Sequence, residues 1–254
     1  MKETISKELK EIEREYKFKI VLAVDGGSRS WNLHSPTSDY DVRFIWVRDK
    51  WNYLSLDRKE ETLTIKKGDT EYEGKDIFKF LNLLRNSNPT VIEWINSPIV
   101  FLNKMVMFEE LKEEVNNNFN PLALFYHYKS LCKENYLKYL KSHSQVTYKR
   151  YLYAMRGLIN SKWVLTKGTL PDMDFELLLS DIRKFLPESI VENLIELIRL
   201  KKGGHGKESV QNISNIDNFI ETFLKKKEEP LPKKKFNTKI FNEILKAEIV
   251  CSGS

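Results

Sequence analysis

The stretch from Val24 to Val47, V-D-G-G-S-R-S-W-N-L-H-S-P-T-S-D-Y-D-V-R-F-I-W-V, constrains the fold of this chain more than any other. An apolar run over 18–24 enters a Gly-Gly-Ser turn, and a polar loop with one proline leads to Asp39-Tyr40-Asp41 at the head of a second apolar run. Strand, turn, loop and strand are expected. Side chains alternate faces along a strand, so Asp39 and Asp41 point the same way. Two ionised acids side by side repel each other, and the pair makes most sense with a divalent cation between them.

The turn before them supplies the complementary part. Gly26 and Gly27 are expected to permit backbone conformations that a Cβ forbids, so that N–H groups converge on an anion, and Ser28 adds a hydroxyl donor. A phosphate cradle facing an acid pair suggests a nucleoside triphosphate with magnesium. Alone, a Gly-Gly-Ser turn or an Asp-x-Asp strand end is commonplace; on adjacent strands the two together are much more specific.

Gly27-Ser28, ten intervening residues and then Asp39-x-Asp41 resembles the signature of the DNA polymerase beta-like nucleotidyltransferase superfamily. The fuller string from Gly27 to Val47 is similar to the RlaP family, nucleotidyltransferases assigned to an RNA repair pathway. The likeness continues over Glu73 to Phe101, His127 to Tyr136 and Tyr148 to Ile159, and spans about residues 18 to 180. Two positions depart from it, with Lys75 in place of a tryptophan and Phe78 in place of an arginine.

The resemblance implies an α/β (α+β) nucleotidyltransferase domain with a small mixed sheet, followed by an all-helical domain. It also implies that Asp39 and Asp41 hold two Mg2+ ions, with Mn2+ able to substitute, and that a hydroxyl attacks the α-phosphate and releases pyrophosphate. The Gly27 amide and the Ser28 hydroxyl would hold the β- and γ-phosphates. Arg29 or Arg43 would add positive charge at the leaving group, Arg43 being better placed because it shares the face of Asp41. A third carboxylate from a neighbouring strand is needed, and the candidates are Glu71, Glu73 and Asp76. Glu71 ranks first, as a further metal ligand, because it stands where the family often carries an aspartate. Asp76 ranks second, and its other reading is the cap of the helix that follows. In the second domain, Lys149 and Arg156 are the candidates to touch the nucleotide, against the alternative of surface charges flanking a core stripe. The acceptor implied is an RNA end, tRNA among them. A protein or small-molecule acceptor, and a nucleotide- or RNA-binding module of reduced catalysis, stay open.

Composition narrows the class. Hydrophobic residues make up 41% of the 254 and aromatics 12%, enough for a packed core and too many for a mainly disordered chain. No apolar run approaches a membrane span, and the N-terminus is a charged Lys/Glu pattern rather than a signal peptide, so no membrane partner and a cytoplasmic location are expected. Cys132 and Cys251 stand far apart, as expected of reduced thiols. Residues 1–115 carry 19 Lys/Arg against 21 Asp/Glu, whereas the remainder carries 23 against 15. The acidic half bears the motif, and the basic half would face a polyanion.

Periodicity organises the rest. Ile5, Leu9, Ile12 and Tyr16 predict an amphipathic helix, Gly68 the turn of a hairpin, and 76–85 and 91–96 two short helices before a strand at 99–102. Trp94 is read as core. Long helices are expected over 122–141, 146–165, 175–185 and 189–200, with a terminal helix over 236–250. The domains expected are 1–115, catalytic; 116–224, helical; and 225–254, a charged linker with a C-terminal helix. His34, His127, His143 and His205 lack close partners in sequence, and none is expected to ligate a metal.

Overall fold

The computed structural model describes residues 1–57, 59–141, 145–227, 231–234 and 236–252. The expected charged linker lies partly outside the described residues, as does His143. The chain falls into two compact units, one made of 1–30, 39–119 and 235–254, the other of 31–38 and 120–234.

The first unit is built on a mixed five-stranded sheet. Helix α1 (Lys2–Tyr16) buries Ile5, Leu9 and Ile12, the stripe its 3.6-residue period predicts, and leaves Tyr16 at the surface. It leads into β1 (Lys19–Asp25), β2 (Tyr40–Val47), β3 (Thr62–Lys67) and β4 (Thr70–Asp76), followed by α2 (Ile77–Arg85), α3 (Pro89–Asn96), β5 (Val100–Asn103) and α4 (Phe108–Asn118). The strand order is β3-β4-β2-β1-β5. β1 runs antiparallel to β2 and β5 and is buried on both faces from Ile20 to Asp25, which explains its continuous apolar run, whereas β2 and β4 pair in parallel. Gly68, at φ +56°, turns the β3–β4 hairpin in the left-handed region that glycine tolerates best. Val42, Phe44, Trp46 and Tyr72 join the α1 stripe, Phe18, Ile20 and Ala23 in one core cluster, where the Phe18 and Trp46 rings stack 4.8 Å apart. Trp94 is buried, with its ring 6.5 Å from that of Phe80.

The second unit is helical apart from a ribbon of two-residue strands. It holds α5 (Pro121–Asn135), which continues as a π-helical turn over Tyr136–Leu140, then β6 (Val146–Thr147), α6 (Tyr148–Lys167), α7 (Phe175–Ile182), α8 (Glu188–Lys202), β7 (Ser209–Val210) and α9 (Ser214–Lys225). α6 is its central element, burying most of its length from Tyr151 to Val164. Gly157 lets α5 approach closely, because a Cβ there would lie 2.7 Å from the Cys132 backbone nitrogen. The Tyr151 hydroxyl accepts from Ile213 N–H at 2.9 Å and bonds the Asp217 carboxylate, tying α6 to the start of α9. The chain then returns to the first unit as α10 (Thr238–Ser252), whose buried Glu248 accepts from the backbone N–H of Val106.

Candidate active site

The parallel pairing of β2 with β4 sets Asp41 opposite Glu71, Arg43 opposite Glu73 and Ile45 opposite Lys75. In parallel register such partners share a face, so one side of the sheet carries three carboxylates and two cations in two adjacent rows. Arg43 stands between the acids. Its Nη1 donates to Glu71 Oε1 at 2.9 Å and lies 3.7 Å from Glu73 Oε2, while Nη2 reaches Asp41 Oδ1 at 3.4 Å. Lys75 Nζ donates to the other oxygen of Glu73 at 2.7 Å. No set of three His, Cys, Asp or Glu side chains is gathered to hold a metal among the described residues. The guanidinium of Arg43 lies between the candidate acids.

The Gly-Gly turn corrects its expected role. Among the described residues the glycines at positive φ are Gly68, Gly168 and Gly204, so Gly26 and Gly27 are not needed for left-handed backbone. They are needed for space. A Cβ on Gly27 would fall 1.9 Å from Asp41 Oδ2, and one on Gly26 would fall 2.3 Å from Arg43 Cγ. Each glycine thus makes room for one side chain of β2. The Gly27 N–H does not point at an open cradle either, for it donates to Asp25 Oδ1 at 2.9 Å.

Asp25 is the organiser of this turn that the sequence reading missed. It is fully buried, and burial pushes its carboxyl above the usual carboxylate range. Ser30 N–H closes the turn on Gly27 O at 3.1 Å, Ser30 Oγ bonds both the carbonyl and the carboxylate of Asp25, and Ser97 Oγ donates to the same carbonyl at 2.7 Å. An acid directly before Gly-Gly, with a serine five positions later, is the sequence signal that could have found it.

The other predicted residues are placed as follows. Asp39 is exposed and stands one residue outside the β2 ladder. Ser28 is buried, and Arg29 stacks its guanidinium 4.0 Å from the centre of the Tyr40 ring. Asp76 is not brought to the acidic rows. Its Oδ1 caps α2 by accepting from Phe78 N–H at 2.9 Å, its Oδ2 accepts from the Tyr53 hydroxyl at 2.9 Å, and burial raises its carboxyl above the ordinary range. Lys75 lies over the ring of Trp94. Lys149 and Arg156 belong to the second unit. There Arg156 is 7% exposed and stacks 3.6 Å from the centre of the Trp31 ring, which makes it a packed cation rather than a surface charge, and Lys149 Nζ lies 5.3 Å from the ring of Tyr153. His205 Nδ1 pairs with Glu208 at 2.7 Å.

Residues 1–245 match the family described as "RlaP: RNA repair pathway DNA polymerase beta family". The chain belongs to that family. Its nucleotidyltransferase-type function follows from this membership. A curated relative, the "Uncharacterized protein YcgL" of Bacillus subtilis (strain 168), is 34% identical over 227 residues, covering 89% of this chain and 86% of that protein. A solved nucleotidyltransferase-like protein from Exiguobacterium sibiricum 255-15 superposes loosely, at TM-score 0.30 and 13% identity over 96% of this chain and 75% of the other. No helix among the described residues is long and apolar enough to cross a membrane.

Proposed function

We propose that this RlaP-family protein is a magnesium-dependent nucleotidyltransferase that moves a nucleoside monophosphate from a triphosphate to a hydroxyl at an RNA end. The observation that carries the reading is the facing of Asp41 and Glu71 on parallel neighbouring strands, beside a turn whose glycine leaves Asp41 room. Carboxylate oxygens are the hard donors that magnesium takes, so Asp41 and Glu71 suit the cation; Asp39, one residue before β2, would be drawn in as the third ligand, and Mn2+ would substitute. When bound, the metal supplies charge neutralisation of the triphosphate and a lowered pKa for the attacking hydroxyl.

The residues then divide the work. The Ser28 hydroxyl donates one hydrogen bond to the triphosphate tail, and the room at Gly27 lets Asp41 face the substrate. Glu71 takes the proton of the acceptor hydroxyl as its oxygen bonds to the α-phosphorus. The bond from that phosphorus to the bridging oxygen breaks and pyrophosphate leaves. Arg29 is the cation at hand for the departing charge. The chain's basic second half and the family's description as an RNA repair family favour an RNA acceptor.

The test incubates the protein with Mg2+, each α-labelled nucleoside triphosphate and total cellular RNA, beside Asp39→Asn and Asp41→Asn. Label entering RNA with the unmodified protein and not with the variants is the expected result. Pyrophosphate without labelled RNA would move the acceptor to a protein or a small molecule, and silence in both channels would leave a binding module in its place.

A further inference from the structure

The parallel rows of β2 and β4 hold more acid than their cations balance, and one of those cations stands in the middle of the acids. Asp41, Glu71 and Glu73 face Arg43 and Lys75, and Arg43 touches all three carboxylates. We infer that Arg43 is the built-in counter-cation of this face, and that a divalent cation binds by exchange against its guanidinium, so that Arg43 sets how much metal the site demands. This rests on the metal-binding reading of Asp41 and Glu71 given above.

Three features of the geometry carry the inference. First, the position of Arg43 is fitted rather than incidental. A Cβ on Gly26 would meet Arg43 Cγ at 2.3 Å and its Cδ and Nε at 3.3 Å, so the arginine stem lies closely over the turn and delivers its head to the acids. Its side chain is 13% exposed, while those of Asp41 and Glu71 are 32% and 47% exposed.

Second, the contacts to be given up are cheap. Ion pairs with solvent-exposed partners contribute little net free energy, because water and salt already screen the charges. Removing the guanidinium from Asp41 and Glu71 therefore costs little once another cation replaces it.

Third, Arg43 has a place to go. Glu73 is its direct partner in the parallel register, and Nη1 already stands 3.7 Å from Glu73 Oε2. A small rotation of the fork transfers it from the Asp41–Glu71 pair to Glu73, whose other oxygen is held by Lys75. The charge of Arg43 stays on the face, so the metal gains two carboxylates without leaving a buried cation stranded.

The experiment measures Mn2+ binding to the whole protein directly, by calorimetry and by the loss of the free-ion electron paramagnetic resonance signal, at fixed ionic strength and without nucleotide. Arg43→Gln is expected to bind Mn2+ about tenfold tighter than the unmodified protein, since a competing charge a few ångströms away has been removed. Unchanged or weaker affinity in a folded Arg43→Gln overturns the exchange. Should that variant not fold, Arg43→Lys decides, because it keeps the charge but loses the fork; affinity about threefold above the unmodified protein supports exchange, and equal or lower affinity overturns it. Asp41→Asn separates the two readings. Lost Mn2+ binding there together with unchanged binding in Arg43→Gln removes only the exchange, whereas undiminished binding in Asp41→Asn removes the metal site itself.

Discussion

Gly27 and Asp41 occupy one shared space: a methyl group on the glycine would stand 1.9 Å from Asp41 Oδ2 and 2.6 Å from its carboxyl carbon. The glycine is thereby tied to the acid across fourteen positions of sequence, through the β1–β2 antiparallel pairing that also has Gly26 N–H donate to Asp41 O at 2.8 Å.

Gly27→Ala therefore tests positioning rather than backbone freedom. Its backbone lies outside the left-handed region, so alanine meets no conformational penalty there, and the whole effect falls on the Asp41 side chain. A displacement of about 1 Å at a reacting group can cost on the order of a hundredfold. The variant should keep a melting temperature within a few degrees of the unmodified protein and lose about a hundredfold in nucleotidyl transfer. Full activity would show that Asp41 can turn aside without consequence.

Glu71 and Asp76 make opposite predictions. Asp76 holds the first turn of α2 and the Tyr53 hydroxyl, so Asp76→Ala removes a cap and strands a buried donor, costing about 1–3 kcal/mol of stability in denaturant titrations. Its transfer rate per folded molecule should hold. Glu71→Gln has an exposed side chain and one surface ion pair to lose, so its stability should move by less than about 1 kcal/mol while transfer collapses. The reverse pattern would hand the third carboxylate to Asp76.

Which features were legible in the sequence follows from how local they are. The α1 stripe, the Gly68 hairpin, the continuous apolar run of β1 and the period of the long helices each declare themselves locally, whereas the α/β domain followed by helices came from the resemblance. α4 was missed because Leu111 and Val115 are the only core residues among its acids and asparagines, and α9 because Ile216, Ile220 and Phe223 follow a polar run that reads as loop. The site was less legible still. Arg43 shares the face of Asp41 by simple alternation, but the company of Glu71 and Glu73 depends on a parallel β2–β4 register, which places β4 beside β2 while β3 lies at the edge. No spacing rule within one strand encodes that. The assignment of 31–38 to the helical unit is likewise invisible to a reading that divides a chain at one point.

Within the helical unit, Gly157 packs directly against the backbone of α5. A Cβ there would press on backbone, with Cys132 N at 2.7 Å and Tyr128 O at 3.0 Å, and backbone in a helix cannot swing aside as a side-chain tip can. Gly157→Ala should destabilise that unit by about 1–3 kcal/mol, despite the better helix propensity of alanine. A two-probe denaturation experiment reads it: the transition reported by the helical unit shifts to lower denaturant. A stabilised unit would mean that α5 and α6 can separate at no cost.

The buried Glu248 of α10 sets a pH dependence whose sign can be worked out. Burial is the main cause that pushes its carboxyl up from the ordinary 4.5 to about 7, with the Val106 N–H opposing. The folded protein thus holds this proton up to about pH 7, whereas the unfolded chain releases it near 4.5. Between those values the folded state binds more protons, so its stability is greatest below pH 4.5 as far as this group is concerned, and falls as pH rises toward 7. The total loss is on the order of 3 kcal/mol, reached once the folded form has ionised as well. Asp25 and Asp76, raised by the same cause, add losses of the same sign, so the curve of the unmodified protein alone does not isolate Glu248. Glu248→Gln does, because the amide keeps an oxygen to accept from Val106 and has no proton to lose. Melting temperatures of the two proteins should run close together at pH 5 and diverge by pH 8, with Glu248→Gln the more stable. Parallel curves from pH 5 to 8 would show that Glu248 ionises at its ordinary value and that α10 tolerates its charge.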